Sequence, residues 1–473
     1  MADLKKKSVR GGMVTMVSQA ASIGIQLTST VVLARLLSPE DYGVIAMVMA
    51  VTSIAGLFRD LGLSSAAIQK KNLTRAQQSN LFWLNVVMGS LLTTIVAVGS
   101  PLVAWFYGKP ELTAVTLALS ASFLIGSIGT QHGAMLVRNM QFGRKAAATI
   151  TGSVVSLVIA ITLALNGYSY WALVWGSLAG SAATTLLLFS LSPFWPQLPS
   201  KGAGIRGMLK FGANITAFDF VNYFARNLDN ILIGRYWGAG SLGMYSRAYQ
   251  LLMFPINTIR GPIQAVAFPA MSKFDPDSPK FRQYYLSVVR LVATASMPLI
   301  AWIFVSSEEI VMLGLGPTWS HVIPIFNWLA VAAFIQPVSS LRGLLLLSSG
   351  QGRRYLEAGL ITSVVVSAGF AIGVCWGAVG VAVSYAISIC LLAQPMHNYC
   401  CRGTAVKNGD LLGASWRPMA TSLTGVLVVL MVDQYIKGCA DPVELTIKAF
   451  LIGVIAAPVM IRELRRFYKP NFN

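Results

Sequence analysis

The sequence predicts an all-α polytopic membrane protein of about 14 transmembrane helices: two six-helix lobes related by a parallel repeat, plus two extra helices. Three observations carry this. The 473 residues are 55% hydrophobic and only 11% charged, with a mean hydropathy of +0.64, where a soluble domain has roughly 25% charged residues. Apolar runs of roughly 20 residues, each long enough to cross a ~30 Å hydrocarbon layer as a helix, fill nearly the whole chain. Stretches some 200 residues apart also resemble one another.

In order, the spans fall at residues 12–34, 43–66, 81–104, 112–137, 147–166, 168–191, 212–234, 242–271, 284–306, 321–348, 356–375, 378–399, 416–436 and 443–461. The start, MADLKKKSVRGG, has the basic residues of a signal peptide. The apolar run behind it continues past roughly 20 residues without a clear cleavage site, so it reads as a retained first helix. A slide of 200 lays VVLARLLSPEDYG (31–43) over ILIGRYWGAGSLG (231–243), pairing Arg35 with Arg235 and Gly43 with Gly243. A slide of 210 lays HGAMLVRNMQFGR (132–144) over RGLLLLSSGQGRR (342–354), pairing Gly133/Gly343, Leu136/Leu346, Gln141/Gln351 and Arg144/Arg354. An offset of six helices preserves the direction of every span. The lobes are then residues 1–200 and 201–400, with 401–473 an appendage.

A net charge of +19 would suggest nucleic acid in a soluble chain. Its placement argues otherwise. Of the 36 lysines and arginines, 25 lie in alternate loops beginning with the amino terminus and five in the loops between, which puts both termini in the cytoplasm. The charge is mostly topology and contact with anionic membrane lipids, and no nucleic-acid partner is expected. The five cysteines form no CxxC pair and the three histidines are scattered, so neither a metal nor another cofactor is expected. Cys375 and Cys439 both fall near the outer face, where a disulfide could form.

Six arginines remain within spans: Arg59, Arg226, Arg247, Arg260, Arg290 and Arg342. The clear intramembrane acids are Asp60, Asp219 and Asp229. Each such residue costs roughly 2.5–3.5 kcal/mol near a helix centre and should face protein or water. In the stretch DFVNYFARNLDN (219–230), Asp219, Asn222, Tyr223, Arg226, Asp229 and Asn230 share a face about 120° wide at roughly 100° per residue. Such a stripe suits a water-filled cavity; the alternative is an Arg226–Asp229 pair that only joins two helices. Arg59 and Arg260 fall at nearly equivalent points of the repeat, and His132 matches Arg342. Arg226, Arg260, Arg59 and Arg342 are the candidates for holding a phosphate or pyrophosphate, which needs planar bidentate donors. Arg290 and Arg247 join the same polar interior, although Arg290 and Arg342 could instead snorkel to the interface. Asp60 adjoins Arg59, but neighbours on a helix diverge by about 100°, so their contact is not assured. Pro255, Pro262 and Pro269 repeat every seven residues and make that helix either a bending element or a statically kinked one.

Catalytic constellations, phosphate-binding loops and metal-spaced motifs do not occur, and the outer loops are too short to house an acid and base pair, so no enzyme is expected. The layout of six, six and two spans, LARLLSPEDYGVIAM (33–47), NLDNILIGRYWGAGSLGMYSRAYQL (227–251) and SGQGRR (349–354) together resemble the polysaccharide flippases of the multidrug/oligosaccharidyl-lipid/polysaccharide exporter superfamily, colanic acid exporters in particular. The resemblance covers most of the chain and is strongest from 1 to 290. It implies two lobes in a V shape that move an undecaprenyl-pyrophosphate-linked oligosaccharide across a bacterial inner membrane. It also implies partners in the polysaccharide polymerase machinery, with Asp60, Asp219 or Asp229 available for proton or sodium coupling. A drug/cation antiporter or lipid II flippase of the same superfamily, and a non-transporting scaffold of a glycan assembly complex, remain alternatives. Charge speaks against the first, since basic residues dominate inside, but not against the second.

Overall fold

The computed structural model describes residues 2–60, 62–70, 72–200, 206–436 and 441–468; side chains are described for all of these except 2–14, 66, 69, 206–226, 265, 464 and 467–468. The chain divides into two compact units, Met1–Gly243 and Met244–Asn473.

The first unit holds α1 (Ala2–Leu36), α2 (Pro39–Leu57), α3 (Leu63–Gln69), α4 (Arg75–Val98), α5 (Ser100–Tyr107), α6 (Glu111–Arg138), α7 (Phe142–Leu165), α8 (Trp171–Leu191) and the beginning of α9 (Arg206–Met271). Local chemistry starts these helices. Ser38 Oγ accepts the Asp41 N–H at 3.3 Å while the Asp41 carboxylate accepts the Ser38 N–H at 2.8 Å, and Pro39 fills the first turn of α2. Thr74 and Gln77 form the same reciprocal cap on α4. Helix α4 packs on α6, and α7 packs on α1 and α8. The α7–α8 seam closes through small residues: a Cβ on Gly176 would come 2.8 Å from that of Ala160, and one on Gly180 2.6 Å from that of Ser156.

Helix α9 is 66 residues long and continues through Pro255, Pro262 and Pro269. Its single non-helical backbone position is Gly238, at φ 80° and ψ −177°, a conformation that glycine adopts without steric cost. The seam between the units therefore falls inside α9, past the lobe boundary at 200/201 expected from the repeat. A reason lies in the contact of its first part with α2. A Cβ on Gly43 would overlap the Ala239 carbonyl, and one on Gly243 the Pro39 carbonyl.

The second unit contains the rest of α9, α10 (Pro279–Val305), α11 (Ser307–Gly314), α12 (Val322–Ser339), α13 (Leu341–Ser348), α14 (Gly352–Gly373), α15 (Gly377–Cys401), α16 (Asp410–Ile436) and α17 (Asp441–Tyr468). Val288, Val289, Val292 and Met297 of α10 are buried in its core. Helices α16 and α17 pack directly on α10, with Val429 and Ile452 enclosing Ala301. Helices α16 and α17 thus pack within this unit.

Eleven segments of the described residues are long and apolar enough to cross a membrane. One of them, Gly352–Cys401, comprises both α14 and α15. With these counted singly the candidate spans among the described residues number twelve, and α9 is not one of them. Large apolar side chains such as Trp105, Trp376 and Met431 stay exposed, which for a multi-pass membrane protein is the lipid-facing surface.

The repeat is visible in backbone detail. Met140 (φ 56°) and Gly350 (φ 74°) take the same left-handed turn before Gln141 (φ −90°, ψ 52°) and Gln351 (φ −88°, ψ 52°). Arg144 then donates to Gln141 Oε1 at 3.4 Å and to the Leu191 carbonyl at 3.3 Å. Arg354 donates to Gln351 Oε1 at 2.8 Å and to the Arg402 carbonyl. Gly167 (φ 78°) and Gly377 (φ 77°) form a further matched pair.

Candidate functional site: intramembrane arginines and buried polar clusters

Of the predicted stripe on α9, the side chains of Asp219, Asn222, Tyr223 and Arg226 lie outside the described residues. Asp229 is buried and its Oδ1 accepts the Asn230 N–H at 2.8 Å; Asn230 itself is half-buried.

In the first unit, Arg59 follows the last turn of α2, and its guanidinium lies against α6 where Gly126 offers no side chain. A Cβ there would come 2.7 Å from Arg59 Nη1. Arg59 Nε is buried without a hydrogen-bond partner, and no carboxylate among the described residues pairs with this arginine. Asp60 turns away: its Oδ1 accepts the Ser64 N–H at 3.1 Å and the Ser64 hydroxyl at 2.8 Å, fixing the start of α3. His132 is fully buried in an aromatic box of Phe82, Phe189 and Phe194, with ring centroids 5.7, 4.6 and 5.3 Å away, and neither ring nitrogen has a partner.

In the second unit, Arg342 begins α13 half-buried and is held by carbonyls: its Nε donates to Ser339 O at 2.8 Å and its Nη1 to Leu392 O at 3.4 Å. Arg247 donates to Gln250 Oε1 at 2.6 Å, and Arg260 is half-buried on the second arm of α9. Arg290 Nε donates back to Leu286 O at 3.1 Å. The charges within its reach are Glu463, Arg466 and Arg417, so it faces α16 and α17. The prolines Pro255, Pro262 and Pro269 lie within the second arm of α9, beyond its non-helical residue Gly238.

Two groups escaped the sequence reading. On α4 and α6, Thr93 Oγ1 bridges Ser120 O and the Leu124 N–H at 3.0 and 3.2 Å, Gly89 lies against Ser127, and Asn85 and Gln131 come at the next level, fully buried with both amide atoms unpartnered. Buried polar atoms without partners cost roughly 1–3 kcal/mol each. The spacing of Asn85, Gly89 and Thr93 at i, i+4, i+8 was the available signal.

The other is a cluster around Lys448 of α17, whose Nζ meets Glu309 Oε1 at 2.5 Å, Glu444 Oε1 at 2.7 Å and Asp433 Oδ1 at 3.0 Å. Three carboxylates share one buried ammonium and tie α11, α16 and α17 together. Burial and a hydrogen bond to Glu444 push the Glu309 carboxyl above the usual carboxylate range, against the pull of Lys448. Only Glu444–Lys448, at i, i+4, was readable from sequence; Glu309 is 139 residues distant from Lys448.

A family model described as polysaccharide biosynthesis protein matches residues 32–324, more than half of the chain. The chain belongs to this family. Among its relatives, the lipopolysaccharide biosynthesis protein WzxC of Escherichia coli K12 is 26% identical over 431 residues, covering 89% of this chain and 85% of that protein. The teichuronic acid biosynthesis protein TuaB of Bacillus subtilis 168 is 28% identical over 354 residues, covering 74% and 73%. The fold is shared with the lipid II flippase MurJ in an inward closed conformation, at a TM-score of 0.77 and 14% identity, over 97% of this chain and 100% of that one. In this member of the polysaccharide biosynthesis protein family, the family match takes in Arg59, Arg226, Arg247, Arg260 and Arg290. Arg342 and Lys448 lie beyond it.

Proposed function

We propose that this polysaccharide biosynthesis protein is a transporter, not an enzyme. It flips undecaprenyl-pyrophosphate-linked oligosaccharide units across the bacterial inner membrane for exopolysaccharide or O-antigen assembly, with both termini cytoplasmic. The lobes, residues 1–200 and 201–400, alternate in access around a cationic cavity to which Arg59, Arg226, Arg260 and Arg342 contribute. Pro255, Pro262 and Pro269 supply the bend, and Asp219, Asp229 or Asp60 the coupling to a proton or sodium ion. One observation carries the reading. Arg59, just past the end of α2, and Arg342, within its span, have no carboxylate partner among the described residues, one lying against a glycine and the other held by carbonyl oxygens, so their positive charge stays available to an anion. A phosphate or pyrophosphate is an anion that a planar guanidinium fork serves well.

The test is complementation of an exporter-deficient strain with Arg59→Ala and Arg342→Ala, membrane insertion being checked by blotting. Surface polysaccharide should fall at least tenfold for each and recover in part with lysine. Normal polymer from both alanine variants would overturn the reading. Rescue of a strain lacking its lipid II flippase would assign the substrate to lipid II instead.

A further inference from the structure

Besides the arginines assigned to transport, the second unit gathers Arg290 of α10, Arg417 of α16 and Arg466 of α17 about a single acid, Glu463. Glu463 is buried, and its Oε1 takes Arg466 Nη1 at 3.2 Å and Arg417 Nη1 at 3.7 Å. One carboxylate against three guanidiniums leaves two positive charges uncompensated among the described residues. The guanidiniums are not sealed in: the side chains of Arg417 and Arg466 are 33% and 48% exposed. Arg417 also lies over the ring of the exposed Trp416, 5.5 Å from its centroid. A tryptophan exposed near a helix end marks the depth of the lipid headgroups. Exposed Arg462 and Arg465 follow on the last turns of α17.

We propose that Arg417 and Arg466, with Arg290 behind them, form a binding site for the phosphate headgroup of an acidic phospholipid, with Glu463 as the buried positioning residue that aims the two forks. A guanidinium pair takes phosphate oxygens in bidentate fashion, and basic pockets between transmembrane helices are a recurrent way of holding such headgroups. An excess charge of two suits a headgroup with two phosphates, as in cardiolipin. The site ties a lipid to α10, α16 and α17 at once. It goes beyond the transport reading and does not depend on the cavity.

The experiment uses the purified full chain in phosphatidylcholine nanodiscs with and without cardiolipin, followed by native mass spectrometry of bound lipid. The wild type should retain cardiolipin, and Arg417→Gln with Arg466→Gln should weaken retention on the order of tenfold. Arg353→Gln, which removes a charge that is 92% exposed, should change nothing. Equal retention by the wild type and the double variant, or equal loss in Arg353→Gln, would overturn the site. Melting in pure phosphatidylcholine checks folding; if the double variant melts early there, Arg466→Gln alone carries the comparison. Displacement of cardiolipin by a polyprenyl pyrophosphate, lost in the same variant, would overturn the phospholipid assignment in favour of the transported lipid. Lipid retention is read without transport, so its failure leaves the transport reading standing, and a failed complementation leaves this one.

Discussion

Position 132 in the first unit and position 342 in the second stand in matching places before matching loops, and they hold opposite kinds of chemistry. His132 is sealed among three phenylalanines without a polar partner, whereas Arg342 donates to two backbone carbonyls. The repeat therefore duplicates backbone and not interior. A left-handed residue, a glutamine and an arginine three positions on are enough to rebuild the same turn, because each acts within a few residues or on a nearby helix end. What faces inward depends on distant segments: Phe194, which closes the box around His132, lies beyond α8. The ionic clusters built on buried groups, around Lys448 and Glu463, lie among the described residues of the second unit, at two levels of α17.

The largest effect should come from removing that organisation. Lys448→Ala leaves three carboxylates crowded in a buried site and should cost about 3–5 kcal/mol, read as a fall in melting temperature of the purified protein. An unchanged melting temperature would show that the cluster contributes no stability and that the contrast between the units is one of composition only. Next comes an exchange across the repeat. His132→Arg puts a charge where no acceptor waits and should destabilise by about 3 kcal/mol, while Arg342→His should cost about 1 kcal/mol; chemical denaturation of both variants in one detergent would rank them, and the reverse order would break the comparison. The smallest effect tests the sameness of the loops. Arg144→Ala and Arg354→Ala should each cost about 1 kcal/mol, equal within error, with a matching rise in protease cleavage at both turns.

The all-helical, multi-pass architecture and the repeat were legible in sequence because hydropathy and helical period are local quantities. Gln141 and Gln351 disclosed a shared turn for the same reason. The packing of α16 and α17 on α10 was not legible, since it depends on contacts such as Ala301 with Val429 and Ile452 that no periodicity encodes. Arg290 was grouped with the cavity because a lone intramembrane arginine gives no sign of which neighbour it faces. Glu463 answers that question from the far end of the chain. The non-helical residue of α9, Gly238, was not legible, whereas the three prolines were; a proline disturbs only the bond it lacks and a carbonyl four residues back, so α9 stays helical through all three.

Where α2 meets α9, the chain at Gly43 and Gly243 runs peptide against peptide. At those two positions no side chain stands between the rods, so their ridges are interrupted where the backbones come nearest. A single methyl at either glycine would act as a shim, and the thickness of one carbon atom is all that stands between a smooth bearing and a jammed one.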